Sequence, residues 1–433
     1  MRILVYPHDL AMGGSQINAI DLAAVMRDSG HEVVLYGQRN TLVERIEELG
    51  LEFIESPRPR RRPTPSIVSS LRGLIRQRGF EVIHGYEWPP TLEAVVACHG
   101  SRSVAVSTVL SMSVAPFIPT YVPLLVGTEQ ILAAEVAAGR TRVGLMEPPI
   151  DTRLNSPEVK LPLRAFVSRW DLDPEAFTVV VVSRLAHEMK LEGILTAMES
   201  VRQLGRDRRV QLIVVGGGPA AGLVQDTAEA INAELGTRAI VVTGEMLDPR
   251  PAYAVADVAL GMGSSALRAM AFGKPLVVQG IDGFWETLTP ESLPTFLWQG
   301  WYGQGEGTHG APARLSAILR TLMDQPDTRH RLGRLSWQTV RERFSLAAAA
   351  ERQLGLYKES LASRRHGQPF GRTLQDNTVS LTRFLRYHRG ISADRRRGRA
   401  ADEDFNSKAT LVQTRVQTRV QTSGPPAGLG AGS

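Results

Sequence analysis

The feature that most restricts the fold is a series of short Val/Ile/Leu-rich segments, each closed by glycine. In the second half of the chain, VQLIVVGGG, AIVVTG, VALGMG and PLVVQG follow an opening FTVVVVSRL. Near-continuous apolar runs of this length suit strands covered on both faces. Helical stretches, Ile194–Leu204 and Ala220–Leu235, lie between them. The first half reads the same way. RILVYPH, HEVVLYG, LEFIES, EVIHGY, SVAVSTV, PLLVGT and RVGLMEPP are strands. One intervening helix carries Ile17, Ile20, Ala24 and Val25 at helical spacing, and another covers Ser66–Arg78. Strands alternating with helices imply βαβ units and a mostly parallel sheet. The expectation is two doubly wound α/β domains, residues 1–150 and 151–345, joined near Glu147–Asn155 and facing a central cleft.

A chain of 433 residues can bury two such cores without disulfides or structural metal. Its one cysteine, Cys98, forms no intramolecular disulfide and fits a reducing, cytoplasmic setting. The opening MRILVYPHDL reads as a strand rather than a secretory leader, and the apolar runs are too short to span a bilayer. The Gly-, Arg- and Ala-rich composition hints at a GC-rich bacterial source.

The formal charge of +6 is unevenly placed. From Leu361 onward there are thirteen Lys and Arg against five Asp and Glu, a surplus of eight, which leaves the preceding residues near −2. The basicity therefore belongs to the tail, and nothing in the body suggests a nucleic-acid partner. Residues 364–433 combine RRHGQPFGR, ADRRRGR, the repeat VQTRVQTRVQTS and a Gly/Pro-rich end, a composition of disorder. A short helix around Leu381–Tyr387 is only weakly suggested.

In open α/β sheets ligands bind beyond the carboxyl ends of the strands, where the glycines cluster here. Two such domains make the cleft between them the default site. In VVSRLAHEMKLEGIL, Arg184 follows a strand and Lys190 sits at the start of the next helix. Two cations there suit a diphosphate, although a pair of solvated surface cations would look alike. In ADVALGMGSSALRAMAFGKP, a strand ends in Gly261 and Gly263, and Ser264 and Ser265 open a helix. Its first amides can hold an anion, and the serines can equally serve as caps. AMGGSQ forms a second such turn, with Gly13 and Gly14 permitting close backbone approach. It is not the GxGxxG fingerprint, and no acidic residue follows the second strand in the usual place, so a nicotinamide enzyme is not indicated.

His84 and Glu87, in VIHGYEWPP, follow a first-half strand and could face the cleft, His84 as a proton handler or a structural hydrogen-bonder. Asp171 and Asp173 read as turn and cap residues rather than metal ligands, and no zinc-type spacing occurs. Arg58, Arg60, Arg61 and Arg62 precede a helix with Arg72, Arg76 and Arg78 beside Ile67, Leu71 and Ile75. That basic amphipathic stretch, Arg58–Arg78, is compatible with peripheral contact at an anionic membrane, or with a plain solvated face.

With these residues in hand, the chain resembles the retaining glycosyltransferases of family 4 across roughly residues 1–360. MGGSQINAIDLAAVMRDSGHEVVLYG looks like the family's opening loop and helix, EVIHGYEWPPTLEA its His-containing strand end, and LMEPPIDT its interdomain junction. SRLAHEMK resembles the Arg/Lys pair, GGGP the phosphate-side turn at Gly216, and TGEMLDPRPAYAVADV the nucleoside-side loop. AMAFGKPLVVQG and VRERFSLAAAAERQLGLY match the stretch behind the sugar and the terminal helix.

The resemblance implies the GT-B fold, with residues 346–363 returning to the first domain. It implies transfer of a sugar from a nucleoside diphosphate with retention, without metal or other cofactor. The acceptor would be a polysaccharide, lipid or small molecule. Arg184 and Lys190 would hold the diphosphate, Gly13 and Gly14 leave room for it, and Ser264 and Ser265 supply amides. Met246 and Leu247 would flank the base, and His84 would touch the sugar or acceptor.

One departure bears on the donor. The family's pair of glutamates around the sugar is missing. Arg268 stands where the second, which binds the ribose hydroxyls, would align, and Leu260 stands near the place of the first. Glu245 or Glu286 could substitute. A non-catalytic relative is the principal alternative. A nucleotide-sugar epimerase of the same fold would need an acid/base set that the sequence does not offer.

Overall fold

The computed structural model describes residues 1–60, 62–111, 113–365, 376–387 and 389. Their strands are β1 (Arg2–Tyr6), β2 (Glu32–Gly37), β3 (Glu52–Glu55), β4 (Val82–Tyr86), β5 (Val104–Val109), β6 (Leu124–Val126) and β7 (Val143–Leu145) in the first half. The second half has β8 (Phe177–Val182), β9 (Val210–Val215), β10 (Ile240–Gly244), β11 (Val258–Gly261), β12 (Leu276–Gln279) and β13 (Trp285–Thr287). They form two sheets, ordered β3-β2-β1-β4-β5-β6-β7 and β10-β9-β8-β11-β12-β13. Pairing is parallel throughout except for the antiparallel edge strand β13, which the sequence reading does not anticipate.

Each sheet is sandwiched between helices, so the central strands are largely apolar on both faces, whereas the edge strands β3 and β13 carry exposed glutamates. The first sheet separates a core around Ile3, Val5 and Leu35 from one around Leu4, Tyr6 and Ile83. The second separates Val179, Leu212 and Val258 from Val180, Ile213 and Ala259. Consecutive residues of one strand thus belong to opposite cores, which is the physical reason the runs contain no polar alternation. In both sheets the strand order reverses beside the first strand, between β1 and β4 and between β8 and β11. Such switch points splay the following loops apart and open a crevice.

The helix Leu346–Arg365 runs back across the first domain. Its Leu346, Ala349, Ala350, Leu354 and Tyr357 join the core that also holds Ile20, Ala23 and Met26 of helix Gly14–Asp28. Where the chain passes between domains, Ile150 donates its N–H to Phe344 O at 2.9 Å and bridges Ser345.

Two expectations change. Helix Pro65–Arg78 presents Ile67, Val68, Leu71 and Ile75 to the domain core, so its apolar stripe is not available to a bilayer. Of the arginines in Arg58–Arg78, Arg62 bonds the fully buried Glu93, and Arg78 pairs with Glu32 and Glu52. The composition of disorder also does not extend to residues 376–387, which are helical. Phe384 and Tyr387 pack their rings against Trp88 and Phe117 at centroid distances of 5.1–6.1 Å. Asp376 accepts from Tyr121 N and Thr120 Oγ1, and Arg383 donates to Pro116 O. Residues 364 and 365 end the helix Leu346–Arg365, Arg389 is also described, and the rest of the predicted tail lies outside the described residues.

Candidate functional site

The glycines fix the site by letting backbones touch. At Gly216, with φ +150°, a Cβ would fall 1.8 Å from Ser183 O, and at Gly218 one would fall 2.6 Å from Leu185 O. The turn after β9 therefore lies flat on the segment after β8, holding Arg184 at the strand end. After β11, Gly263 (φ +61°) turns the chain into helix Ser264–Ala271. Ser265 Oγ donates back to Met262 O at 3.0 Å and secures the turn. The first amides of that helix have no intrahelical acceptor and remain available to an anion.

Lys190 occupies the N-cap position of helix Leu191–Leu204, with Nζ 2.7 Å from Met262 Sδ. Gln279 donates to Lys190 O, and Glu192 receives the N–H groups of Asp282 and Gly283. From the opposite domain comes Gly14, the first residue of helix Gly14–Asp28. A Cβ there would lie 2.3 Å from Ser264 Oγ, so the two domains meet at this point in backbone-to-side-chain contact.

Two cavities open on either side of that contact and share Gly14, Arg184, Lys190, Met262 and Ser264. The larger, about 380 Å³, extends past Gly216 and Gly217 to Glu245, Met246, Leu247, Pro249, Tyr253, Ser265 and Arg268, with Gly13, Asn40 and Thr41 on the first-domain side. The smaller, about 260 Å³, extends past Gly263 to Ser15, Asn18, Glu87, Ser111, Glu147 and Tyr302. Another cavity of about 340 Å³, between Val95 and Arg364, lies apart and gathers none of the residues predicted for the site.

Two family models match the chain, one in each half. Residues 13–142 match the glycosyl transferase 4-like domain, and residues 176–296 match the glycosyl transferases group 1 domain. Each half is thus similar to a glycosyltransferase domain. Among solved structures, a glycosyltransferase from Rickettsia africae is similar at a TM-score of 0.66 and 15% identity, over 83% of this chain and 98% of that one. Anabaena HepE in complex with UDP is similar at 0.64 and 13%, over 83% and 100%. The fold is GT-B. Among curated relatives, the D-inositol 3-phosphate glycosyltransferase of Corynebacterium aurimucosum is 24% identical over 52% of this chain and 53% of its own length. The lipopolysaccharide core biosynthesis glycosyltransferase LpsD of Rhizobium meliloti is 27% identical over 46% and 54%. The chain thus spans about half the length of the curated relatives it matches.

Within this GT-B cleft, Arg184, Lys190, Gly13, Gly14, Gly216, Met246, Leu247, Gly263, Ser264, Ser265 and Arg268 all line one or both cavities. His84 does not. Its ring is fully buried, bonded through Nδ1 to Tyr357 Oη and through Nε2 to Thr108 Oγ1, and stacked on Tyr86. Burial pushes its pKa down to about 3. The role of proton handler or sugar contact is therefore corrected: His84 is a neutral structural link between β4 and the returning helix. Of the two candidate carboxylates, Glu245 lines the larger cavity, whereas Glu286 is exposed on edge strand β13. Asp171 occupies a left-handed helix end and Asp173 pairs with Arg209, as turn and cap residues do.

The smaller cavity is also lined by Asn18, which the sequence reading missed, and by Glu87, which it expected to face the cleft. Asn18 is 1% exposed, yet neither its Oδ1 nor its Nδ2 has a protein partner. It stands one helical turn after Gly14, a spacing that could have marked it. Glu87, at φ +64°, accepts from Leu110 N, Ser111 N, Ser111 Oγ and Ser15 Oγ. Burial raises its pKa against the lowering effect of those donors.

Proposed function

We propose that the chain transfers a sugar from a nucleoside diphosphate donor to a hydroxyl-bearing acceptor, with retention at the anomeric carbon and without a metal ion. One observation carries this reading: two cations and a helix N-terminus converge with a first-domain glycine on the junction of two cavities. A diphosphate at the junction would meet Arg184, Lys190 and the amides of Ser264 and Ser265. Those fixed charges and dipoles would stabilise the developing negative charge on the departing nucleotide, a role that a divalent cation fills in other sites. The nucleoside would extend along Met246, Leu247 and Tyr253, and the acceptor would enter the smaller cavity beside Asn18 and Glu87. Retention rests on the family resemblance. So does the assignment of nucleoside and acceptor ends, and the UDP-glucose complex of a protein with this fold supports the choice of donor class.

A non-catalytic, nucleotide-binding reading is favoured by Arg268. Its guanidinium makes no hydrogen bond or ion pair among the described residues, and it offers only donors where ribose hydroxyls would seek a bidentate acceptor. Thermal denaturation with a panel of nucleoside diphosphates tests binding. A ligand at about 100 times its Kd adds about 2.7 kcal/mol of stability, and Lys190→Ala should abolish the shift. If no nucleotide shifts the Tm at millimolar concentration, the donor site is refuted. If binding occurs without nucleotide release from a bound sugar donor in any acceptor mixture, the non-catalytic reading stands.

A further inference from the structure

Among the described residues, eight large apolar side chains stand exposed, and three of them, Val379, Leu381 and Leu385, share the helix over 376–387. That helix is already anchored by its other face, through Phe384 and Tyr387 on Trp88 and Phe117. The leucines are therefore not needed to hold it in place. Leu381 and Leu385 are four residues apart, which puts them in one outward row, and Arg386 and Arg389 are also exposed. Leu381 and Leu385 are 58% and 49% exposed, far too open to be packing residues. The segment belongs to the stretch from Leu361 onward that carries a basic surplus of eight.

We propose that this outer face docks the protein on an anionic lipid surface. Leucines with arginines on one exposed helical face suit the boundary between acyl chains and acidic headgroups, where apolar burial and charge attraction act together. A second copy of the chain is disfavoured as occupant, because two such faces would bring like charges together. The site of docking also has a consequence for the acceptor, which rests on the sugar-transfer reading. The loop that receives Arg383 at Pro116 O begins at Leu110 and Ser111, which line the smaller cavity. Pro116 lies five positions after Ser111, a reach of at most about 18 Å. Docking through this helix holds the mouth of that cavity near the bilayer, and an acceptor whose hydroxyl is carried on a lipid headgroup becomes the fitting class.

The test is sedimentation of the full chain with vesicles of phosphatidylcholine alone or mixed with phosphatidylglycerol. Binding to the anionic vesicles, weakened by salt, is expected, with little binding to phosphatidylcholine. The double variant L381E/L385E should bind at least about tenfold more weakly, given the apolar area withdrawn, while keeping its nucleotide-induced thermal shift. Equal binding by the variant would assign vesicle attraction to the other basic residues of the tail and overturn the proposal. So would absent binding, equal binding to neutral vesicles, or a dimer that the substitutions convert to monomer. Should neither protein respond to nucleotides, the sugar-transfer reading fails separately and the vesicle comparison still decides the docking.

Discussion

Replacing Gly14 with alanine isolates the contact on which the cleft depends. Gly14 opens helix Gly14–Asp28 and is not among the residues with positive φ, so alanine fits the backbone. In a helix alanine is favoured over glycine by up to ~1 kcal/mol, so the first domain itself should not weaken. Across the cleft, however, the new methyl would lie 2.3 Å from Ser264 Oγ and 3.2 Å from Ser264 Cβ. Rotating the hydroxyl relieves the first approach but not the second, and the domains must separate by a few tenths of an ångström. Overpacking of this kind costs about 1–3 kcal/mol, charged to the closed, ligand-holding arrangement. Nucleotide affinity measured by calorimetry should fall about 5- to 150-fold while the ligand-free Tm stays level or rises. G14A/S264G should regain most of the loss relative to S264G alone. An unchanged affinity in G14A would refute the claim that these domains close on a diphosphate at this point.

Two further outcomes concern the scaffold. Glu93 is fully buried and bonded to Arg62, Tyr6 Oη and Thr64 N, so Arg62→Ala should cost about 3–5 kcal/mol in urea unfolding by leaving that carboxylate without its cation. A loss under 1 kcal/mol would contradict the pairing. His84 is held neutral to about pH 3, below its ordinary value of 6.5. The unfolded chain therefore binds one more proton between those values, and this contribution is complete above about pH 6.5 and lost as pH falls towards 3. His84→Gln should flatten the stability-versus-pH curve in that window by about 1.4 kcal/mol per pH unit, and an unaltered slope would show that the ring titrates normally in the fold.

The alternation of strands and helices was legible because both faces of the central strands are covered, so each of these is a largely apolar run. The cleft residues were legible for a related reason. Glycines after β9 are demanded by backbone contact and Gly263 after β11 by its positive φ, Arg184 follows a strand end, and Lys190 and Ser264 stand at the starts of the next helices. What failed was local evidence about distant partners. His84 stands at a strand end like a site residue, but Tyr357, which claims its ring, lies 273 positions away. The stripe Ile67–Leu71–Ile75 looks the same whether it faces a bilayer or a core. Phe384 and Tyr387 hold a helix only because Trp88 and Phe117 receive them, and the basic composition around them conceals it.

The side-by-side passage of residues 150 and 345 between domains makes the junction a two-ply hinge rather than a single tether. Rotation about the line through both plies would open the halves like the covers of a book, whereas torsion across it would break the Ile150–Phe344 hydrogen bond. A protease cut in either ply alone would leave the covers joined by the other, so loss of the hinge requires two cleavages.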